Sequence, residues 1–181
     1  MKANLYFTAL LFIFLSGSSA SAQQAAKRHA DVVSISPDAD RNIATGINFV
    51  KAVTGGDWAK AQTYMAPGFM HYGPGAADSA NVEQYAKIWQ ENYTTQKNRE
   101  VSITAGTSMQ VKEGPQKGDW VLIWCDYKAL FTDTGKTAGM PVQLTLQLKD
   151  GKVAVEQSYY DTGSMMMQLG WTLIPPKMAK K

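Results

Sequence analysis

The stretch Gln143-Leu144-Thr145-Leu146-Gln147-Leu148-Lys149-Asp150-Gly151-Lys152-Val153-Ala154-Val155-Glu156-Gln157-Ser158-Tyr159-Tyr160-Asp161 decides the fold. Leucine at every second position before Asp150 is the period of a half-buried strand. Asp150-Gly151 is a favoured two-residue hairpin turn, because both positions tolerate positive φ. Two long antiparallel strands follow from this. On the second, Val153, Val155, Gln157, Tyr159 and Asp161 share one face, and Ala154, Glu156, Ser158 and Tyr160 share the other.

Upstream, Asp119 to Phe131 reads as another long strand, bounded by turns at Gly114-Pro115-Gln116-Lys117-Gly118 and at residues 132–136. Val101, Ile103 and Ala105 alternate with Ser102 and Thr104, giving a strand before it. Further upstream the period lengthens. Ser36-Pro37-Asp38 is a helix start, and Ile43, Ile47, Val50 and Val53 form one apolar stripe, ended by Gly55-Gly56. Asp57 caps a short helix from Trp58 to Tyr64, and Phe69 to Tyr72 is extended. Asn81 and Gln84 form a capping-box pair ahead of the stripe Val82, Tyr85, Ala86, Trp89 and Tyr93. A last short helix is expected at Met165 to Leu169, capped by Thr162 or Ser164 and ended by Gly170. Helices first and a strand meander second predict an α+β domain, with helices on one face of a curved antiparallel sheet. Such a layering leaves room for a ligand pocket between the layers.

The chain of 181 residues suits one domain, expected over residues 36–174. Its hydrophobic content of 45% argues against disorder. One Cys excludes a disulfide scaffold, two His make a His-rich metal site improbable, and a net charge of +3 does not suggest nucleic-acid binding. Neither a metal nor a cofactor is expected. At the N-terminus, Lys2, the apolar run Leu5 to Leu15 and Ala20-Ser21-Ala22 read as a signal peptide over residues 1–22. The run is shorter than the ~20 residues of a membrane-spanning helix, and no Cys follows it for lipid attachment. A periplasmic or secreted protein without stable membrane insertion is therefore expected. Residues 23–35 read as a flexible lead-in and 175–181 as a tail. Asn92-Tyr93-Thr94 matches a glycosylation acceptor but falls inside an expected helix, and is taken as coincidence.

Three stretches carry a resemblance. Gly55-Gly56-Asp57-Trp58-Ala59-Lys60-Ala61 is similar to the turn between the first two helices of the nuclear-transport-factor-2-like superfamily. Phe69-Met70-His71-Tyr72-Gly73-Pro74-Gly75 resembles its F-x-H-x-x-P-G stretch, and the segment from Asp150 through Gln168-Leu169-Gly170-Trp171 resembles its last strand and Q-L-G helix. Within that superfamily the chain looks most like the SnoaL-like polyketide cyclases and ketosteroid isomerases. The resemblance implies a cystatin-like, cone-shaped α+β barrel with a mostly apolar internal cavity, and frequent dimerisation through the outer sheet face. It does not fix the activity, because this shape hosts cyclases, isomerases, dehydratases and binding domains.

Enzymes of this kind move protons on bound carbonyl compounds, which requires a carboxylate or His base beside an apolar wall. Asp161 and His71 are the expected catalytic pair, with Tyr72, Trp89, Tyr93, Tyr127, Gln157, Tyr159 and Met165 as ligand contacts. Asp161 has a second reading as the cap of the helix after it. The strand from Asp119 to Phe131 has two phases. One points Cys125 and Tyr127 inward. The other points Trp124 and Asp126 inward, at the expense of burying Lys128. In the first phase Trp120, Leu122, Trp124 and Leu130 form an outer apolar patch, expected to meet a second copy. Two functions stay open: proton-transfer chemistry on a small apolar carbonyl compound, and non-catalytic ligand binding or scaffolding in the cell envelope. Export disfavours a strict polyketide cyclase.

Overall fold

A computed structural model describes residues 28–172 and 174. The expected signal peptide and tail lie outside the described residues. The chain runs α1 (His29–Val32), β1 (Val33–Ile35), α2 (Ala39–Gly55), α3 (Trp58–Thr63), β2 (Met65–Tyr72), β3 (Ser79–Asn81), α4 (Val82–Thr95), β4 (Gln96–Val111), β5 (Gly118–Phe131), β6 (Lys136–Lys149), β7 (Lys152–Tyr159) and α5 (Thr162–Leu169). The strands form one seven-stranded sheet in the order β1-β4-β5-β6-β7-β2-β3, antiparallel except where β2 runs parallel to β7. The sheet is curved and unclosed, and the helices give the α+β cone anticipated from the order of elements. Within the expected lead-in, α1 and β1 take shape, with Val33 opposite Val111.

Local chemistry explains the element ends. Asn81 Oδ1 accepts from the Gln84 amide and Gln84 Oε1 accepts from the Asn81 amide, both at 2.9 Å, so the capping box opens α4 as read. Helix α2 ends on Gly56 at φ +91°, a conformation that favours glycine. Ser36, expected to cap α2 directly, sits before its first turn and is buried. Its Oγ donates to Asp119 Oδ1 and accepts from Asn42 Nδ2, tying the helix start to the sheet.

The core lies between α2 and the concave face, where Phe49, Val50 and Val53 meet Val121, Ile123, Leu144, Leu146 and Val153. Gly46 permits this approach: a Cβ there would stand 2.9 Å from Leu146 Cδ1 and 3.1 Å from Ile123 Cδ1. The long strands bend at irregularities, one between Ile103 and Ala105 and another between Gln147 and Leu148. An extra residue on one strand increases local twist and resets the alternation of its side chains. Ala105 is exposed as a result, although it shares the sequence phase of Val101 and Ile103.

Candidate functional site

A cavity of about 270 Å³ opens on the concave face beneath α2 and α4, with Met165 of α5 at its edge. Its wall is mostly apolar and rich in rings, including Phe49, Tyr85, Trp89, Tyr127, Phe131 and Tyr160. One liquid water takes about 30 Å³, so the space equals about nine waters. It lies just under the ~300–1,000 Å³ of typical ligand pockets, which suits a body of one or two rings.

One end of the cavity is polar and buried. His71 on β2 stands directly opposite Glu156 on β7 in the parallel register. The His71 Nδ1 to Glu156 Oε2 distance is 3.4 Å, and the two side chains are only 13% and 6% exposed. His71 Nε2 lies 3.1 Å from the Gly73 carbonyl, so the nitrogen on that side carries hydrogen and donates to it. Nδ1 in a neutral ring then presents a lone pair toward Glu156. Two lone pairs at this distance repel, so the pair holds one proton between imidazole and carboxylate. Burial works against the imidazolium, but the charge and hydrogen-bonding capacity of Glu156, the Gly73 carbonyl and Asp78 outweigh it and raise the His71 pKa above 6.5. The Tyr85 ring stacks on His71 at 4.8 Å, fixing its plane from the α4 side. Burial first, and Glu156 second, hold the Tyr85 phenol well above its usual range, so it is neutral.

The loop after β2 is built for this arrangement. Gly73 has φ +97°, and a Cβ there would collide with the Ser158 carbonyl, so glycine brings its own carbonyl to His71 where another residue does not fit. Ser158 Oγ is buried without a hydrogen-bond partner, and His71 Nδ1 and Glu156 Oε2 have only their long 3.4 Å contact with each other. At the other end, the Tyr127 hydroxyl donates to Gln96 Oε1, and burial pushes its pKa up to about 12. Cys125 lines the wall as a packed thiol pushed up to about 11 by burial, then by Asp126 and Glu156.

The inward phase of β5 is the one with Cys125 and Tyr127 facing the cavity, and Trp124 is exposed on the outer face. His71, Trp89, Tyr127 and Met165 line the cavity. The strand face assigned to Asp161, Gln157 and Tyr159 requires correction. Val153 lies opposite Leu148 but Val155 lies opposite Gln147, so β7 advances two residues while β6 advances one. That bulge keeps Val153 inside yet turns Glu156, Ser158 and Tyr160 inward after it. Tyr159 is accordingly 47% exposed. Asp161 lines a separate outer hollow with Trp124, Asp126, Gln143 and Tyr159, and its Oδ1 accepts from the Ser164 amide at 2.8 Å as the cap of α5. Tyr72 is exposed on the rim of β2. Tyr93 lies outside the cavity lining, where its hydroxyl donates to the Val53 carbonyl and its ring carries the Arg99 guanidinium at 4.8 Å.

Glu156 is the residue of this buried pair that the sequence reading missed. The signal was a lone carboxylate amid Val153, Ala154 and Val155, but strict alternation hid its direction. Among the described residues, no group of three or more His, Cys, Asp or Glu side chains is placed to hold a metal ion.

No family model matches the sequence, and no curated protein matches it either. Solved structures do match. A candidate polyketide cyclase from Streptomyces antibioticus is 19% identical with a TM-score of 0.59, over 72% of this chain and 99% of that one. An LEH-like epoxide hydrolase from M. tuberculosis gives 14% and 0.57 over 74% and 92%. A ketosteroid-isomerase-like protein from Catenulispora acidiphila, solved with trimethylamine, gives 17% and 0.57 over 71% and 97%. The chain has the nuclear-transport-factor-2-like, SnoaL-like fold. At these identities the likeness is one of fold, and the chemistry rests on the residues of the cavity.

Proposed function

We propose that this protein is an exported domain that takes a small, largely apolar organic molecule into its cavity and uses the Glu156–His71 pair as an acid–base centre toward it. One observation carries this reading: a carboxylate and an imidazole 3.4 Å apart, both buried, face an apolar space with room for a ligand. A pair that shares one proton gives it up or takes it back with little rearrangement, which suits a general base near neutral pH. Glu156 replaces Asp161 in this role because Asp161 lies on the opposite face. Structural neighbours described as a cyclase and an epoxide hydrolase fit a small-molecule site, and the N-terminal sequence supports export.

The test is a panel of one- and two-ring compounds, read by intrinsic tryptophan fluorescence and thermal shift, together with mass spectrometry of molecules that co-purify. Binding that is lost in Ser158→Trp, a substitution that fills the polar end, supports the reading. A panel without binders and a protein that purifies empty would reject it. The exposed Trp124 and Tyr159 on the outer sheet face also support the proposal that two copies meet there. Light scattering that gives a monomer at micromolar concentration would end that part.

A further inference from the structure

We propose that the polar head of the molecule taken by this cavity is a protonated amine carried on a small apolar body. The inference rests on the reading of the cavity as a small-molecule site and adds the chemical class of its ligand.

Three observations support it. First, among the described residues, the carboxylate of Glu156 is the only acidic side chain in the wall, and no Lys or Arg lines the cavity. The nearest described guanidinium, Arg99, lies behind the opposite end, bonded to the Thr54 and Gln96 carbonyls and stacked on Tyr93. The field across the cavity therefore runs from a cation outside one end to a carboxylate inside the other. Second, the rings of Tyr85 and Trp89 stand at 77° with centroids 6.3 Å apart. The Tyr85 ring is taken up by its stack on His71, but the half-buried Trp89 ring lines the cavity near the same carboxylate, and an aromatic face beside a carboxylate favours a cation, the more so when desolvated. Third, Ser158 Oγ and Glu156 Oε2 sit on side chains more than nine-tenths buried; Ser158 Oγ lacks a hydrogen-bond partner, and Glu156 Oε2 has only its long 3.4 Å contact with His71 Nδ1. With the ring neutral, Glu156 Oε2 and His71 Nδ1 only accept, the Ser158 hydroxyl accepts or donates, and a primary ammonium brings three donors and no acceptor. A carbonyl or carboxylate head would meet the Glu156 and His71 acceptors with its own lone pairs.

The groups facing His71 are Glu156 on β7, Asp78 in the loop after β2 and Tyr85 on α4, and Tyr160 beyond β7 lines the same cavity. None of them is a cation. The proton that sits on His71 at low pH is thus the natural competitor of the ligand's ammonium for Glu156. When the amine binds, that proton leaves the imidazole for solvent, and the charge in the site is conserved. Affinity for a cation therefore rises as the pH rises through the raised His71 pKa.

The experiment compares benzylamine, benzyl alcohol and benzoate by isothermal titration calorimetry from roughly pH 6 to pH 8, a range in which a primary amine stays protonated. The expected order is amine, then alcohol, then carboxylate, with the amine about tenfold or more ahead of the alcohol at the upper pH. Amine affinity should increase with pH, with proton release at the low end seen as buffer-dependent heat. Glu156→Gln should erase the preference for the amine while benzyl alcohol still binds, which also shows that the variant is folded. His71→Gln should make amine affinity independent of pH. Equal binding of amine and alcohol, or an amine preference that survives Glu156→Gln, overturns the amine assignment and leaves the small-molecule reading standing. Failure of all three probes, with other one- and two-ring compounds also failing, overturns both.

Discussion

Removing His71 and removing Glu156 should have unequal costs, and the inequality follows from the geometry. In His71→Phe the ring stack on Tyr85 is kept, but Glu156 is left as a carboxylate that is 6% exposed, with no counter-charge at 3.4 Å. Stripping one partner from a buried ion pair costs about 3–5 kcal/mol, because the other charge stays desolvated. In Glu156→Gln the partner left behind is an imidazole, which relieves its position by staying neutral. The loss is then closer to a hydrogen bond, about 1–2 kcal/mol. The double variant His71→Phe with Glu156→Leu removes both charges and should return to within about 1–2 kcal/mol of the parent. Urea unfolding at neutral pH measures all three. The His71→Phe deficit should also shrink in acid, where protonation removes the orphaned charge. Equal costs for the two single variants, or a double variant worse than either, would refute the claim that Glu156 is desolvated and held by His71.

Other outcomes follow from the same coordinates. Because the His71 pKa is raised in the folded state, its contribution to stability is full below the unfolded value of 6.5 and fades as pH rises through the folded value; melting temperature against pH should show this decline, and His71→Phe should lack it. Cys125, pushed up to about 11 against a reference of 9.0, should react with a thiol reagent at pH 8 roughly 100-fold more slowly in the folded protein than in urea, as stopped-flow absorbance would show. Gly46→Ala places a methyl 2.9 Å from Leu146 Cδ1 and should cost about 1–3 kcal/mol in chemical denaturation. Asp161→Ala removes the cap of α5 at a cost of about 1 kcal/mol and should leave ligand binding in the cavity intact; lost binding would return Asp161 to the site.

The parts legible in the sequence were those set by local rules. Capping at Asn81, the Gly56 stop, the Asp150-Gly151 turn and the inward phase of Cys125 and Tyr127 each follow from residues within a few positions of one another. What stayed hidden depends on pairing between strands. The bulge that turns Glu156 inward is a count of β7 residues against β6, and an alternating pattern read on β7 alone carries no trace of it. The same cause hid the outward turn of Ala105 on β4. Asp161 drew attention as a carboxylate at a strand end, a position equally suited to a helix cap, and the Ser164 amide fills that second role. The Gly73 stretch carries the resemblance in sequence, but its delivery of a carbonyl to His71 Nε2 depends on the close approach to Ser158, which a sequence does not display.

The sequence holds two histidines, His29 and His71, so their ring signals are easily told apart by substitution in proton NMR. Titrating the protein with a one-ring compound that binds, and repeating the pH titration of both rings in its presence, addresses the acid–base pair and the cavity together. The His71 resonances and its midpoint should move on binding while those of His29 stay in place. A ligand that binds and leaves the His71 ring untouched would contradict it.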